Sequence, residues 1–194
     1  MADGPVSRPR VTAGRELELL QAAVEVLREV GYEALTMDAV AARGRCSKAT
    51  LYRLWGGKPQ LVAAGLRVVK RLELDTIDTG NLRDDLVTVC ERLLANAEKE
   101  ALLFAALTHA ALVDPDLAAA MREALFRPDT EQLHAILDRA VARGELAAPP
   151  SGIDFLPGLV GGGLVLRPLF QEGRADRALV GRFVDEVLLP VLRH

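Results

Sequence analysis

Helix stops fall so close together in the first third of this chain that only short helices packed on one another can form there. Gly31, Gly44 and the pair Gly56-Gly57 interrupt the run from Thr12 to Leu72, and after each interruption comes a residue suited to starting a new helix. Before the first stop, apolar residues recur at Leu19, Ala22, Ala23, Val26 and Val30, offsets of 3, 4, 7 and 11 that place them on one face of a helix. Gly31 is expected to cap it. Thr36 and Asp38 offer N-capping oxygens to a second, short helix through Val40 and Ala42. The chain must turn at Gly44 and Arg45. Ser47 then caps a third short helix carrying Ala49, Leu51, Tyr52 and Leu54, and Pro59, with fixed φ and no amide hydrogen, starts a fourth through Leu61, Leu66 and Leu72.

Beyond the segment DTIDTGN, Asp75 to Asn81, the pattern stays helical. Leu82–Glu100 and Ala101–Val113 read as helices, and Asp114 before Pro115 is a cap-then-proline signal for another, reaching to about Phe126. Pro128 and Asp129 are expected to open the next, which Gly144 closes. Consecutive prolines make Ala147–Gly152 a loop, and two last helices are expected over Ile153–Phe170 and Asp176–Leu192. The reading is an all-α protein of about nine helices. Residues 1–11 are expected to form a disordered basic arm, 12–74 a three-helix helix-turn-helix unit (the motif itself about 36–55) with its linking fourth helix, and 75–194 a helical effector-binding and dimerisation domain.

Composition supports the class: half of the 194 residues are hydrophobic and only 4% aromatic, with leucine and alanine abundant. Cys46 and Cys90 stand far apart with no metal-ligand partners nearby, which indicates neither a disulfide framework nor a metal site and suits the cytoplasm. A secretory leader and a membrane span are not expected, and no pattern calls for a cofactor. Charge is unevenly divided. Residues 1–71 hold 12 Lys and Arg against 7 Asp and Glu, a net of +5, whereas residues 72–194 hold 12 against 20, a net of −8. The first third is therefore the part suited to a polyanion.

Two short helices joined by a tight turn, with a supporting helix before them, make a helix-turn-helix, whose second helix enters the major groove of double-stranded DNA by its first residues. Those residues are Ser47, Lys48, Ala49 and Thr50. Lys48 can donate to guanine O6 or N7, Thr50 can bond a base or a phosphate, and Ala49 permits close approach or contact with a thymine methyl. Tyr52 and Arg53 follow one turn on. Lys58 stands at the N-terminus of the next helix, where amides and an ammonium together suit a phosphate. Arg8 and Arg10 are either a frayed end or a reach toward the backbone or minor groove.

The run GYEALTMDAVAARGRCSKATLYRLWGGK, Gly31 to Lys58, resembles the N-terminal domain of the tetracycline-repressor (TetR) family of transcriptional regulators, with matches over Leu17 to Ala63. The resemblance implies that Thr36, Lys48, Thr50, Tyr52 and Lys58 contact DNA, mostly at phosphates, with Lys48 and Ala49 nearest the bases. It also implies that the remainder is a divergent effector-binding domain whose last two helices form a homodimer. Three positions depart from the family pattern: Arg45 replaces the usual turn glycine, so that either Arg45 takes positive φ or the turn centres on Gly44; Cys46 replaces an aliphatic residue; and Gly57 replaces a capping Ser or Asp.

In the second part, Gly161, Gly162 and Gly163 lack the Lys-Ser/Thr of a phosphate loop and read as the close-contact stripe of a dimer interface, a kinked helix lining a pocket being the other reading. Leu164, Arg167, Phe183 and Val187 would join that interface. Arg167 is expected to pair with Asp185 or Glu186 or to point into a ligand cavity. Phe104, His109, Met121, Phe126 and Phe155, the larger side chains of the middle helices, are the candidate contacts of an unknown small apolar effector. An enzyme built on Cys90 or His109 has no nucleophile–base spacing to support it. A helical dimeric adaptor or small-molecule-binding protein without sequence-specific DNA binding is the remaining alternative.

Overall fold

The computed structural model describes residues 12–70, 72–167 and 175–193; the arm with Arg8 and Arg10, and the end of the helix expected to reach Phe170, lie outside these residues. Among the described residues there is no strand. Helix α1 (Ala13–Ala34) begins where the Thr12 side chain accepts from the Arg15 amide, and its path breaks at Gly31, φ 76°, as expected of a capping glycine. Helix α2 (Met37–Arg43) is capped by Thr36 and α3 (Lys48–Trp55) by Ser47, each side-chain oxygen taking an amide of its first turn. Helix α4 (Lys58–Val69) starts after Gly57 with Pro59 in its first turn and no side-chain cap.

At the turn between α2 and α3 the strained residue is Arg45 (φ 49°), while Gly44 keeps right-handed geometry. Packing explains the division. A Cβ on Gly44 would lie 2.7 Å from Leu19 Cδ2, so glycine is needed for contact with α1, and the left-handed residue comes next. The Arg15 guanidinium donates to the carbonyls of both Gly44 and Arg45 and ties the turn to α1.

After α4 a single 3₁₀ turn, Leu74–Thr76, follows Glu73, which also holds positive φ (49°); Arg92 secures this corner by donating to the Leu72 and Glu73 carbonyls and to Thr76 Oγ1. Helix α5 (Leu82–Lys99) is capped by Asn81 and α6 (Ala101–Val113) follows directly. Helix α7 (Pro115–Met121) is capped by Asp114, whose carboxylate accepts from the Asp116 and Leu117 amides. Pro128 does not open a separate helix in the way its sequence suggests. From Met121 through Arg127 the backbone stays right-handed, and a π segment, Arg122–Phe126, carries α7 into α8 (Arg127–Ala142). The proline removes one donor and crowds the Ala124 carbonyl four residues back; widening to π spacing relieves the clash, and Arg67 of α4 donates to that carbonyl at 3.4 Å.

A 3₁₀ turn (Ile153–Phe155) leads into α9 (Leu156–Val160), a second π segment (Gly161–Val165) and, later, α10 (Arg177–Phe183), which passes through a third π segment (Val184–Leu188) into α11 (Leu189–Arg193). Pro190 again follows a π segment by two residues, as Pro128 does.

Two hydrophobic clusters form. One joins α1–α4 with α6, α7 and Leu125; the other joins the 3₁₀ corner, α5, α8, α9, α10 and α11. Helices α6 and α7 therefore pack with the N-terminal helices although they follow the expected boundary near residue 75. Two polar contacts reinforce that seam, Arg28 with Glu100 (2.7 Å) and Tyr32 Oη donating to Asp114 Oδ2 (2.7 Å), while Lys70 at the end of α4 pairs with Asp129 of α8. Among the described residues no helix is long and apolar enough to cross a membrane.

One glycine of the run packs within its own chain and the other two are left open. A Cβ on Gly163 would lie 2.5 Å from Phe183 Cε2 of the same chain, whereas Gly161 and Gly162 meet nothing within 4 Å. Gly163→Ala should therefore lower stability by about 1–3 kcal/mol through overpacking, while Gly162→Ala should be neutral or stabilising by up to about 1 kcal/mol, read from urea unfolding. A Gly162→Ala variant that instead loses self-association at unchanged monomer stability would identify a contact between two chains.

Candidate nucleic-acid interface

Helix α3 has two unlike faces because its buried residues recur at helical spacing. Leu51 is completely buried and Leu54 and Trp55 half-buried, so the helix is pegged to the N-terminal cluster by one side. The other side is left outward: Ser47, Lys48, Ala49, Tyr52 and Arg53 are exposed and Thr50 is half-buried. The Ser47 hydroxyl accepts from the Thr50 amide at 3.1 Å and lies 2.8 Å from Thr50 Oγ1, which orients both hydroxyls at the helix start. Thr36 is exposed at the start of α2; its oxygen is occupied by the Ala39 amide at 3.1 Å, and its hydroxyl proton is available to an acceptor.

Lys48 and Lys58 are both held before any ligand arrives. The Lys48 ammonium lies 2.7 Å from Asp38 Oδ2, and this carboxylate holds the lysine pKa above its ordinary value. Lys58 donates to the Glu33 carbonyl at 3.2 Å and sits 4.3 Å over the centre of the Tyr32 ring. The same tyrosine donates to Asp114, so a cation–ring–carboxylate chain runs from α4 to the cap of α7. The Asp114 carboxyl is held below its ordinary range by the Leu117 amide, with the Tyr32 hydroxyl adding to it. The Tyr32 hydroxyl is pushed up, first by burial and then by Asp114. Cys46 is half-buried and its thiol is raised by burial, which suits a small apolar filler better than a reactive thiolate. Cys90 is buried, its thiol pushed up to about 12 by the same cause.

The sequence reading missed the roles of Asp38, Tyr32 and Asp114. Asp38 is legible in the sequence only as capping chemistry for α2, and nothing local signals that Tyr32, just past the Gly31 break in α1, reaches a cap 82 residues further on.

The second half is less convergent than expected. Met121 is buried in the N-terminal cluster, His109 and Phe155 are exposed, Phe104 is half-buried, and the half-exposed Phe126 ring lies 5.0 Å beneath the Lys70 ammonium. None of the five lines the cleft of about 1050 Å³ that opens between α1, α4 and α5 and is bordered by Val24, Arg28, Val69, Asn96 and Lys99. Leu164 faces its own chain's core, Phe183 packs on Gly163, and Val187 and Arg167 are half-buried. The acids expected for Arg167 are engaged elsewhere: Asp185 by Arg83 at 2.7 and 2.8 Å, Glu186 by Arg182 at 3.1 and 3.2 Å. Among the described residues, no group of three or more His, Cys, Asp or Glu side chains could hold a metal.

A pegged, serine-capped second helix, exposed on its polar side and flanked by a short helix on one side and a lysine-bearing helix start on the other, defines a helix-turn-helix regulator. Comparison with known proteins agrees. Residues 19–64 match the bacterial regulatory proteins of the tetR family, and residues 76–187 match the tetracyclin repressor-like C-terminal domain. A DNA-binding transcriptional repressor TetR of Mycobacteroides abscessus is 36% identical over 184 residues, covering 92% of this chain and 94% of that protein. An uncharacterized HTH-type transcriptional regulator of Mycobacterium tuberculosis is 34% identical over 193 residues, covering 99% and 94%. The crystal structure of a TetR family transcription regulator superposes with a TM-score of 0.70 at 28% identity, covering 91% of this chain and 97% of that one. The chain belongs to the TetR family of transcriptional regulators.

Proposed function

We propose that the chain acts in the cytoplasm as a repressor that binds a palindromic operator as a homodimer, catalyses no reaction, and is modulated by a small apolar effector. The observation that carries this reading is the face of α3: one side buried to the last atom at Leu51, the other offering Lys48, Ala49, Tyr52 and Arg53 to solvent. Thr36, Ser47 and Lys58 extend the same face toward phosphates. The 36%-identical relative named as a repressor supports the sign of regulation. Exposed Leu102, Leu112 and Val113 on α6, with Phe155 and Leu166, leave apolar surface for a second copy or an effector.

A gel-shift series at increasing salt tests the reading. The wild type should bind duplex with a steep negative slope, and Lys58→Ala should weaken binding to all sequences alike and reduce the slope by about 1. A helical adaptor without DNA contact would show no such shift.

A further inference from the structure

We propose that Asp38 and Lys48 form a single reading unit for one C·G pair in each half-site, with Asp38 as a specificity-determining residue. The inference rests on the DNA-binding reading above. Asp38 lies in the first turn of α2 and Lys48 is the first residue of α3; the two meet at 2.7 Å although both side chains are well exposed, 71% and 47%. Among the residues at this face Asp38 is the anomaly. A carboxylate beside a polyanion opposes binding to every sequence, and it has no use against a phosphate, which offers no donor. In the major groove, its partner must be a base amino group.

The bond to Lys48 engages Oδ2 and leaves Oδ1 to accept a hydrogen bond. A carboxylate accepts well from cytosine N4, and an ammonium donates well to guanine O6 and N7. In a C·G pair, N4 and O6 are themselves hydrogen-bonded partners, so that a donor and an acceptor stand about 3 Å apart at the groove edge. The Lys48–Asp38 pair presents a complementary donor and acceptor side by side, its ammonium held 2.7 Å from one oxygen of the carboxylate whose other oxygen is the acceptor. Guanine suits the lysine better than thymine does, because thymine offers one acceptor beside a methyl group. Without Asp38, Lys48 would have a flexible stem and a point charge, able to reach many acceptors. With it, the ammonium is held where only one orientation of base pair satisfies both groups.

Selection of bound duplexes from a randomised pool tests this with full-length wild type, Asp38→Ala, Asp38→Asn and Lys48→Ala. The wild type should enrich a site with one C·G pair in each half favoured by about five- to a hundredfold, the range of a good base contact. Asp38→Ala should keep the rest of the site, lose that preference to about twofold or less, and bind random duplex more tightly, since one carboxylate fewer faces the phosphates. Lys48→Ala should lose preference at the same pair, and Asp38→Asn should come to accept A·T there, because an amide can both donate and accept. An Asp38→Ala protein that enriches the unaltered site, with affinity raised equally for all sequences, overturns the proposal and leaves Asp38 as a mask on the Lys48 charge. A wild type that enriches no sequence overturns the DNA-reading function together with it.

Discussion

Leu51→Ala should lower the stability of the chain by about 3 kcal/mol and abolish DNA binding well before the rest of the protein unfolds. Helix α3 has only eight residues, Lys48–Trp55, and a helix that short does not persist on its own in water. Its Ser47 cap and its Gly56 end fix where it starts and stops, but one fully buried side chain fixes which way it faces. Truncating Leu51 leaves a cavity beneath the helix, out of a total stability that for domains of this size is about 5–15 kcal/mol. Arg53→Ala, on the outward face, should leave the melting temperature within about 1 °C while weakening binding by a single phosphate contact. Thermal melts paired with gel shifts at 20 °C, roughly the temperature of maximum stability, distinguish the two effects. A Leu51→Ala protein that binds duplex as tightly as the wild type would mean that the peg does not position the helix.

Asp85→Ala should cost about 2–3 kcal/mol, the loss expected when a buried acceptor is taken from the groups it serves. Asp85 has no exposure at all, yet its carboxylate is fully engaged: Oδ1 accepts from the amide and the hydroxyl of Thr79, both at 2.7 Å, and Oδ2 faces Arg143 at 3.2 Å. Beside it, Glu145 accepts from the Leu82 amide at 2.7 Å, which draws the loop after α8 onto the start of α5. Removing the carboxylate leaves the Thr79 amide without its acceptor and takes from Arg143 one of its three carboxylate partners, Asp78 and Glu145 remaining. Asp85→Asn keeps an acceptor for Thr79 but turns a donor toward Arg143, and should cost about half as much. Urea unfolding followed by circular dichroism measures both; equal, small losses would show that water replaces the carboxylate.

Neighbouring residues were enough to announce most helix starts. Thr36, Ser47 and Asp114 each cap the helix expected of them, because a capping oxygen and the amides it serves are separated by only two or three residues. Pro59 and Pro115 stand in first turns for the same local reason. Pro128 has the same appearance and a different outcome, since the carbonyl it displaces is taken by Arg67 from another helix. Gly163 behaves likewise: three glycines in an apolar run do not disclose that one of them makes room for Phe183. For the candidate site, the outward residues of α3 were readable from the position of Ser47 and the helical period. The Asp38–Lys48 and Lys58–Tyr32–Asp114 contacts were not, because they join elements whose approach depends on packing.

Sequence alone determined the all-helical class, the caps, and the turn-flanked basic helix, all of which follow from interactions within one helical turn. Tertiary structure decided that Arg45 rather than Gly44 carries the left-handed turn, that α6 and α7 share a core with α1–α4, and that the cleft between α1, α4 and α5 is bordered by none of Phe104, His109, Met121, Phe126 and Phe155. The physical reason is range. A cap or a helical period is satisfied by atoms a few residues away, whereas a close approach such as that of Gly44 to Leu19 exists only once two helices have met.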